Sequence, residues 1–202
     1  MRGPLAAEMN SLFARASFRL RATARRWCVE HPRALYWRLF GMVIGQGTTL
    51  ARVHVTWPHQ VSFGERCRVE HDVYFKFDGI YRPGPSLVFA DDVFIGSGCE
   101  FNIRAGLHVG RHCLIASGCR FVDHDHGFAT RAVPMSEQTS GAEAAIVLEE
   151  DVWLGANVIV LKGVTVQRGA IIAAGSVLTR SVGAFEIWGG TPARMLRSRP
   201  DA

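Results

Sequence analysis

The chain has 202 residues, of which 48% are hydrophobic and 20% charged, and its formal net charge is +5 at pH 7. This balance permits a packed core and argues against intrinsic disorder. The sequence has no apolar stretch of membrane-spanning length, and its first residues lack the apolar run of a secretory signal. We therefore expect a cytoplasmic protein.

The net positive charge lies in the first 40 residues, and the rest of the chain is close to neutral. These first residues contain eight arginines against Glu8 and Glu30, interspersed with aromatic and aliphatic side chains. Residues 8–30 are predicted to be helical, and Pro32 should break or restart the helix. The segment could cap the open end of the repeat fold that follows, or attach peripherally to an anionic membrane surface. We expect no nucleic-acid partner, because no recognised motif accompanies the charge.

Residues 57 to 126 carry apolar side chains at a spacing of six. Residues 80–86 (IYRPGPS) interrupt the pattern, and their prolines predict a loop. The positions that open each hexad are Trp57, Phe63, Val69, Phe75, Phe89, Ile95, Phe101, Val109, Ile115 and Phe121. Smaller residues follow four positions later, at Val61, Cys67, Val73, Gly79, Val93, Cys99, Ala105, Cys113, Cys119 and Asp125. A second and longer interruption follows at residues 127–145.

Residues 148–183 contain six consecutive hexads without a break. The openers are Leu148, Leu154, Val160, Val166, Ile172 and Leu178, and the smaller positions are Val152, Val158, Val164, Ala170, Ser176 and Val182. A period of six fits neither an amphipathic helix nor an alternating strand. It is typical of short parallel strands that turn a corner every six residues, the hexapeptide form of the β-helix.

We therefore predict an all-β fold with a single parallel β-helix over residues 41–183. The loop insertions at 80–86 and 127–145 should project outward from the solenoid. Functional groups are often placed on such loops. A basic amphipathic helical segment (1–40) precedes this domain, and a C-terminal tail (184–202) follows it. Four cysteines occupy the small inward positions and are interpreted as core residues. We expect no metal, because the cysteines show no paired ligand spacing.

The segment FVDHDHGF lies directly before the longer interruption and alternates carboxylate and imidazole groups at Asp123, His124, Asp125 and His126. A histidine can titrate near neutrality, and a neighbouring carboxylate can orient its ring. A His beside an Asp at the mouth of a loop is therefore a candidate general base. The residues alone leave two alternatives, a solvated polar turn and a metal site completed by His108 and His112.

The segment LEEDVWLGANVIVLKGVTVQRGAIIAAGSVLTRSV, followed by IWGGTPARML, resembles the hexapeptide-repeat O-acyltransferases. The similarity is greatest to the maltose, galactoside and polysaccharide-biosynthesis O-acetyltransferases, and it extends over about residues 42–197. The resemblance implies a left-handed β-helix and a homotrimer. It also implies transfer of an acetyl group from acetyl-CoA to a hydroxyl, in clefts between neighbouring subunits.

The resemblance assigns the catalytic histidine to His126, which stands immediately before the long loop, while His124 falls two residues early. Relatives have a proline after this histidine, and this chain has Gly127 instead. Asp123 or Asp125 would set the ring tautomer.

The resemblance also assigns binding residues. The positions implied for coenzyme A are Trp153, Ala156, Ala174, Arg180 and Arg194. Asn102 matches an asparagine that holds the acceptor or the histidine in relatives. Tyr81 and Arg82, in the loop at 80–86, are expected to contact a carbohydrate acceptor because such sites commonly use aromatic faces and planar hydrogen-bonding groups.

These observations predict an O-acetyltransferase that acts by direct transfer on a sugar hydroxyl, in a polysaccharide or glycolipid intermediate. Two other functions remain open. A non-catalytic hexapeptide scaffold would share the fold. A γ-type carbonic anhydrase would also share it, but would need three zinc-binding histidines that converge between subunits.

Overall fold

The computed structural model describes residues 14–21, 23–24, 30–79, 81–139 and 141–200. Most of them belong to three sheets of short strands. The first sheet contains β1 (Val43–Ile44), β4 (Val61–Phe63), β7 (Leu87–Phe89), β10 (Leu107–Val109), β13 (Ile146–Leu148) and β16 (Thr165–Val166). The second contains β2 (Thr49–Leu50), β5 (Arg68–Val69), β8 (Phe94–Ile95), β11 (Leu114–Ile115), β14 (Trp153–Leu154), β17 (Ile171–Ile172), β19 (Glu186–Gly190) and β20 (Ala193–Ser198). The third contains β3 (Val53–Val55), β6 (Val73–Phe77), β9 (Glu100–Ile103), β12 (Arg120–Val122), β15 (Ile159–Leu161) and β18 (Val177–Leu178).

From β1 to β18, consecutive strands enter consecutive sheets, and each strand pairs in parallel with the strand three places later. Phe63 lies opposite Phe89 in the first sheet, for example, and Phe101 lies opposite Phe121 in the third. Every three strands therefore complete one coil, and we number the coils 1 to 6 from the N-terminal end. We call the stacked corners between the third and first sheets edge A, and those between the second and third sheets edge B. The predicted architecture of parallel sheets is confirmed.

The hexads explain the core. All twelve predicted inward positions between Leu148 and Val182 are at most 1% exposed. In coils 2 to 4, phenylalanines fill the interior, and the ring centroids of Phe101 and Phe121 lie 4.7 Å apart in a stacked arrangement. Because each large side chain packs against its equivalent in the next coil, the repeat buries one continuous column.

The hexad pattern fails at four positions next to edge A. Two of them, Gly79 and Ala105, are only partly buried. Trp57 was predicted to open an inward hexad but is 39% exposed, because a 3-10 helix at Pro58–Gln60 turns the chain before β4 begins. Asp125 was predicted to point inward, but the buried carboxylate is that of Asp123. The repeat ends at Phe121, and the chain then leaves the coil.

The chain departs from the coil twice, and both departures lie on edge A. The first follows β6 and returns at β7, and the second follows β12 and returns at β13. The second contains a 3-10 helix at Met135–Glu137, and its base is joined by an isolated antiparallel bridge between His124 and Glu143. We call these the short excursion (78–86) and the long excursion (123–145).

Helix α1 (His31–Leu39) packs against coil 1. Residues 14–21 and 23–24 are also helical, and α1 begins with Pro32 in its first turn. Ala34 is 5% exposed and belongs to the core cluster. The guanidinium of Arg38 donates to the carbonyl of Ile44 at 2.7 Å, so α1 is attached to the first coil. The rest of the helix predicted over 8–30 lies outside the described residues. Among the described helices, none is long and apolar enough to cross a membrane.

The stretch that the sequence analysis treated as a tail contains a hairpin. β19 pairs in parallel with β17 and extends the second sheet, and β20 pairs with β19 in antiparallel fashion. The Trp188 side chain is largely buried there, and its Nε1 donates to Glu186 at 2.7 Å. The hairpin therefore covers the C-terminal end of the coil.

Candidate functional site

The side chain of Asp123 is held in place by backbone hydrogen bonds. Its carboxylate is fully buried at the end of β12. It accepts hydrogen bonds from the backbone N–H groups of Arg104, Ala105 and Gly106, each at 2.8 Å. These three donors form the corner of the preceding coil. They stabilise the buried carboxylate and hold its two oxygens in one orientation.

His124 is oriented by that carboxylate. Its Nδ1 lies 3.0 Å from Asp123 Oδ1, and the ring is almost entirely buried. Because an ionised carboxylate can only accept, this contact favours the tautomer in which Nδ1 carries the proton and Nε2 keeps its lone pair. A ring held in this way presents Nε2 as a proton acceptor.

The Nε2 atom of His124 faces a second carboxylate. Asp78 Oδ2, from the short excursion two coils away along edge A, lies 3.5 Å from it. Asp78 is itself within 3.5 Å of the ammonium of Lys76. Both nitrogens of the imidazole are therefore approached by a carboxylate. The contact with Asp123 is shorter and fully buried, whereas Asp78 is half exposed, so Asp123 sets the tautomer and Asp78 is available to a bound hydroxyl.

A cavity of about 400 Å³ lies beside His124. Its walls are formed by Asn102, Val122, His124, Asp125, His126, Phe128 and Met135. The Oδ1 atom of Asn102 is buried and has no hydrogen-bond partner among the described residues. Since an unpaired buried acceptor is unfavourable, this oxygen is suited to accept a hydrogen bond from a bound molecule. Asn102, which the resemblance implies for holding the acceptor or the histidine, is thus placed on the wall of this cavity.

The other two candidates in the DHDH segment have different surroundings. Asp125 pairs with the ammonium of Lys162, from the next coil, at 2.7 Å and is therefore engaged away from the imidazoles. His126 is exposed on the wall of the cavity, and within the described part of the chain no hydrogen bond or ion pair fixes its ring. Of the two histidines, only His124 has a carboxylate that sets its orientation.

The glycine that replaces the family's proline has a steric reason. A Cβ at Gly127 would lie 1.8 Å from the carbonyl oxygen of Thr139. The two arms of the long excursion therefore approach too closely for any side chain at this position.

The short excursion holds Tyr81 and Arg82 in different ways. The guanidinium of Arg82 turns back onto the fold, where its Nη2 donates to the carbonyls of Arg104 and Ala105 at 2.6 and 2.9 Å. It also lies 4.8 Å from the ring centroid of Phe77. Tyr81 points outward instead. Arg82 thus anchors the excursion, and the sequence reasoning that grouped it with Tyr81 missed this distinction.

The residues implied for coenzyme A do not lie beside His124 in a single chain. Ala156 and Ala174 are on adjacent coils of edge B, where the N–H of Gly175 donates to the Ala156 carbonyl at 2.8 Å. The Trp153 side chain is half exposed on the second sheet. Arg180 follows β18 on edge A, and Arg194 lies on β20. The third sheet separates edge A from edge B, so His124 and the alanines implied for coenzyme A lie on different edges of one chain.

Sequence reasoning did not single out Asp78 or Lys162. Both follow third-sheet strands, β6 and β15, in the same way that the DHDH segment follows β12. Aligning the ends of these strands would have placed both residues beside the histidines. Within the described residues, no group of three or more His, Cys, Asp or Glu side chains could hold a metal ion.

Two hexapeptide patterns match the chain. The bacterial transferase hexapeptide (six repeats) matches residues 145–180, and the hexapeptide repeat of succinyl-transferase matches residues 91–119. The first of these stretches contains most of the six unbroken hexads.

Two named relatives are similar in sequence to about half of this chain. The chain is 30% identical over 117 residues to an Escherichia coli protein named as a lipopolysaccharide biosynthesis O-acetyl transferase, WbbJ, which corresponds to 55% of this chain and 60% of the relative. It is 28% identical to a Mycobacterium tuberculosis protein named as an acetyltransferase, over 56% of this chain and 38% of the relative. The chain thus spans less than two thirds of the length of these relatives.

Solved structures match over more of the chain. The hexapeptide-repeat acetyltransferase VCA0836 of Vibrio cholerae, complexed with acetyl-CoA, superimposes with a TM-score of 0.60 at 26% identity, over 96% of this chain and 91% of that one. The N-acyltransferase AntD of Bacillus cereus, in complex with dTDP and coenzyme A, gives a TM-score of 0.70 at 16% identity, over 83% of this chain and 89% of that one. The AntD likeness concerns the fold alone.

Proposed function

We propose that this chain, which resembles hexapeptide-repeat transferases over residues 91–119 and 145–180, transfers an acetyl group from acetyl-CoA to a hydroxyl of a sugar. The observation that carries the proposal is the buried Asp123–His124 pair at the wall of the cavity. Acetyl-CoA supplies a thioester, and this chain supplies the base that makes a weakly acidic hydroxyl nucleophilic.

His124 is the general base in this mechanism. Nε2 accepts the proton of the sugar hydroxyl while the hydroxyl oxygen bonds to the acetyl carbon, and the carbon–sulfur bond then breaks. The imidazolium that forms is stabilised by the Asp123 carboxylate and returns the proton to the leaving thiolate. The sequence analysis preferred His126, but the ring orientation that a base requires is provided at His124.

Asn102 and Asp78 are the acceptor-binding groups nearest to the base. The unpartnered Oδ1 of Asn102 can accept a hydrogen bond from the sugar. Asp78, which faces Nε2 at 3.5 Å, can accept one from the reacting hydroxyl or its neighbour. Together they would orient the hydroxyl toward the base.

The donor site is completed by a second subunit. In a left-handed β-helix that assembles as a homotrimer, edge A of one protomer would face edge B of its neighbour. Trp153, Ala156 and Ala174 would then line the path of the pantetheine arm toward His124. Arg180 and Arg194 would contact the phosphates, for which a planar guanidinium is well suited. This arrangement accounts for two partial sites on separate edges of one chain.

The acceptor belongs to a surface polysaccharide or glycolipid intermediate, and the enzyme works at the cytoplasmic face of a membrane. Support comes from the outer face of α1. Four side chains on α1 and at its C-terminal end are more than half exposed, namely Leu35, Tyr36, Leu39 and Phe40. An exposed apolar stripe beside arginines is typical of an interfacial helix.

The mechanism is tested by measuring thiol release from acetyl-CoA with sugar acceptors, together with calorimetric binding of acetyl-CoA. His124→Ala should lower turnover at least about a hundredfold, the usual contribution of a general base, while acetyl-CoA still binds. His126→Ala is the matched control and should have a much smaller effect. A dead His126→Ala with an active His124→Ala would overturn the assignment. Failure of the wild-type protein to bind acetyl-CoA would reject the proposed function.

A further inference from the structure

Three aromatic rings stand together on edge A, at the corners that follow coils 1 and 2. The ring centroid of Tyr81 lies 6.0 Å from that of Trp57 and 5.0 Å from that of His59. The centroids of Trp57 and His59 are 5.8 Å apart. We call these three side chains the aromatic platform. It is not part of the core, since Trp57 is 39% and Tyr81 65% exposed.

Contacts between the short excursion and the 3-10 helix Pro58–Gln60 hold the platform in place. Gln60, which is 1% exposed, donates from Nε2 to the carbonyl of Arg82 at 2.6 Å, and the same carbonyl lies 3.2 Å from His59 Nε2. A Cβ at Gly84 would lie 2.5 Å from the His59 carbonyl oxygen, so the short excursion sits directly against the 3-10 helix. With Arg82 anchored on the other side, Tyr81 is presented outward at little further entropic cost.

The platform is continuous with the catalytic pair. The short excursion that carries Tyr81 begins with Asp78, whose carboxylate faces Nε2 of His124 at 3.5 Å. The other two rings of the platform, Trp57 and His59, follow coil 1, whereas His124 follows coil 4, so the strands before them are three coils, about 14 Å, apart along the axis at the usual strand spacing. That distance exceeds the span of one sugar ring that has its hydroxyl at Nε2, and it suits a second or third ring of a linked chain.

We propose that the aromatic platform binds a sugar ring of an oligosaccharide acceptor that is remote from the acetylated ring. This inference rests on the proposed function and specifies its substrate class as a glycan of two or more sugars. The apolar C–H face of a pyranose packs on the electron-rich face of an aromatic ring, and Tyr and Trp add a polar group at the rim. Aromatic side chains also provide large contact area at low conformational cost.

The test compares acceptor length in two series, glucose, maltose and maltotriose, and N-acetylglucosamine, chitobiose and chitotriose. We expect kcat/KM for the trisaccharide to exceed that for the monosaccharide at least tenfold in one series. In Trp57→Ala and Tyr81→Ala this ratio should fall close to one. Tyr36→Ala, a half-exposed tyrosine on α1, is the matched control and should keep the wild-type ratio.

Saturation-transfer NMR measures binding of the trisaccharides in the absence of acetyl-CoA. Together with the activity measurements, it distinguishes failure of the aromatic platform from failure of the proposed function. Acetylation of sugars with no dependence on chain length would overturn the platform and leave the proposed function standing. Trisaccharide binding that requires Trp57 and Tyr81, without any acetylation, would support the platform and reject the transferase. If the trisaccharides neither bind nor react, both are rejected.

Discussion

The four cysteine side chains that the structure describes lie in the core, where they are unsuited to catalysis. Cys67, Cys99, Cys113 and Cys119 are all buried and free of disulfides. Burial raises the pKa of the Cys113 thiol to about 11, since a thiolate in the core would lose its hydration. Its Sγ instead donates to the carbonyl of Glu149 at 3.0 Å. A protonated, inaccessible thiol cannot form an acetyl-enzyme, which agrees with direct transfer to the acceptor.

The raised pKa of Cys113 predicts that the folded protein loses stability at alkaline pH. The pKa of Cys113 is higher in the folded protein (about 11) than its ordinary value of 9.0, so the folded state retains the proton longer than the unfolded state. The resulting stabilisation is complete below pH 9 and is lost as the pH rises toward 11. The slope approaches about 1.4 kcal/mol per pH unit in that interval. Urea unfolding at pH 8 and pH 10.5 measures it.

Cys113→Val is the matched variant for this measurement. Val93 and Val152 occupy the equivalent position in the neighbouring coils, because Leu114 pairs with Phe94 on one side and Trp153 on the other. Valine should therefore fit the column. The free energy of unfolding should fall less between pH 8 and pH 10.5 in the variant than in the wild type. An equal decrease in both proteins would show that other groups cause it.

The sequence could predict the position of the site but not the role of each residue in it. The four residues of the DHDH segment, which the sequence analysis proposed as candidates, lie on or beside one cavity in the structure. Asp123 and Asp125 differ in their partners, however, and those partners are distant in sequence. The donors to Asp123 come from residues 104–106, and the partner of Asp125 is Lys162. Local spacing does not contain this information, which arises only when neighbouring coils stack.

At the level of elements, α1 is a structural part of the coil. Its inner face contributes Ala34 to the core, and Arg33 and Arg38 donate to carbonyls of β2 and β1. End caps of this kind protect the terminal repeat of a solenoid, whose apolar interior would otherwise meet water. The helix can therefore cap the coil with one face and leave its other face for contact with a second surface.

Two neighbouring residues of α1 test the cap. Ala34→Glu should lower the free energy of unfolding by about 2 to 4 kcal/mol, because it forces a charge against the first coil. Leu35→Glu, at a position that is 57% exposed, should change it by less than about 0.5 kcal/mol. Urea unfolding gives both values. Equal effects of the two substitutions would mean that α1 does not pack as described.

The regular elements were more predictable than the irregular ones, for a physical reason. Each of the six hexads between Leu148 and Val182 places a large and a small residue at the same two buried positions, so the pattern appears six times in the sequence. The outward position of Trp57 and the hairpin β19–β20 each depend on a local feature that occurs once in the chain. The exposure of Trp57 depends on a single 3-10 turn, and β19 depends on the edge that β17 leaves open. A pattern can be recognised only where the structure repeats it.

At the scale of the whole molecule, the proposed membrane contact predicts lipid-dependent flotation. The full-length protein should float with vesicles that contain phosphatidylglycerol and much less with vesicles of phosphatidylcholine alone, because arginines favour an anionic surface. The double variant Leu35→Ser and Leu39→Ser should reduce flotation severalfold. Met195→Ser, which changes an exposed methionine on β20, is the control and should float like the wild type. Undiminished flotation of the double variant would exclude α1 as the contact.

The two separated partial sites predict complementation between subunits. His124→Ala removes the base on edge A, and Ala174→Trp obstructs the exposed edge B, so neither variant alone should acetylate an acceptor. In a cyclic trimer of 22.3 kDa chains that contains both variants, one interface of the three pairs an intact edge A with an intact edge B. Trimers purified through a different tag on each variant should therefore recover about a third of the wild-type activity. If both partial sites served the same chain, every site in such a trimer would carry one defect and no activity would return. Sedimentation velocity establishes that the purified species are trimers, so a lack of activity in them would locate the complete site within a single chain.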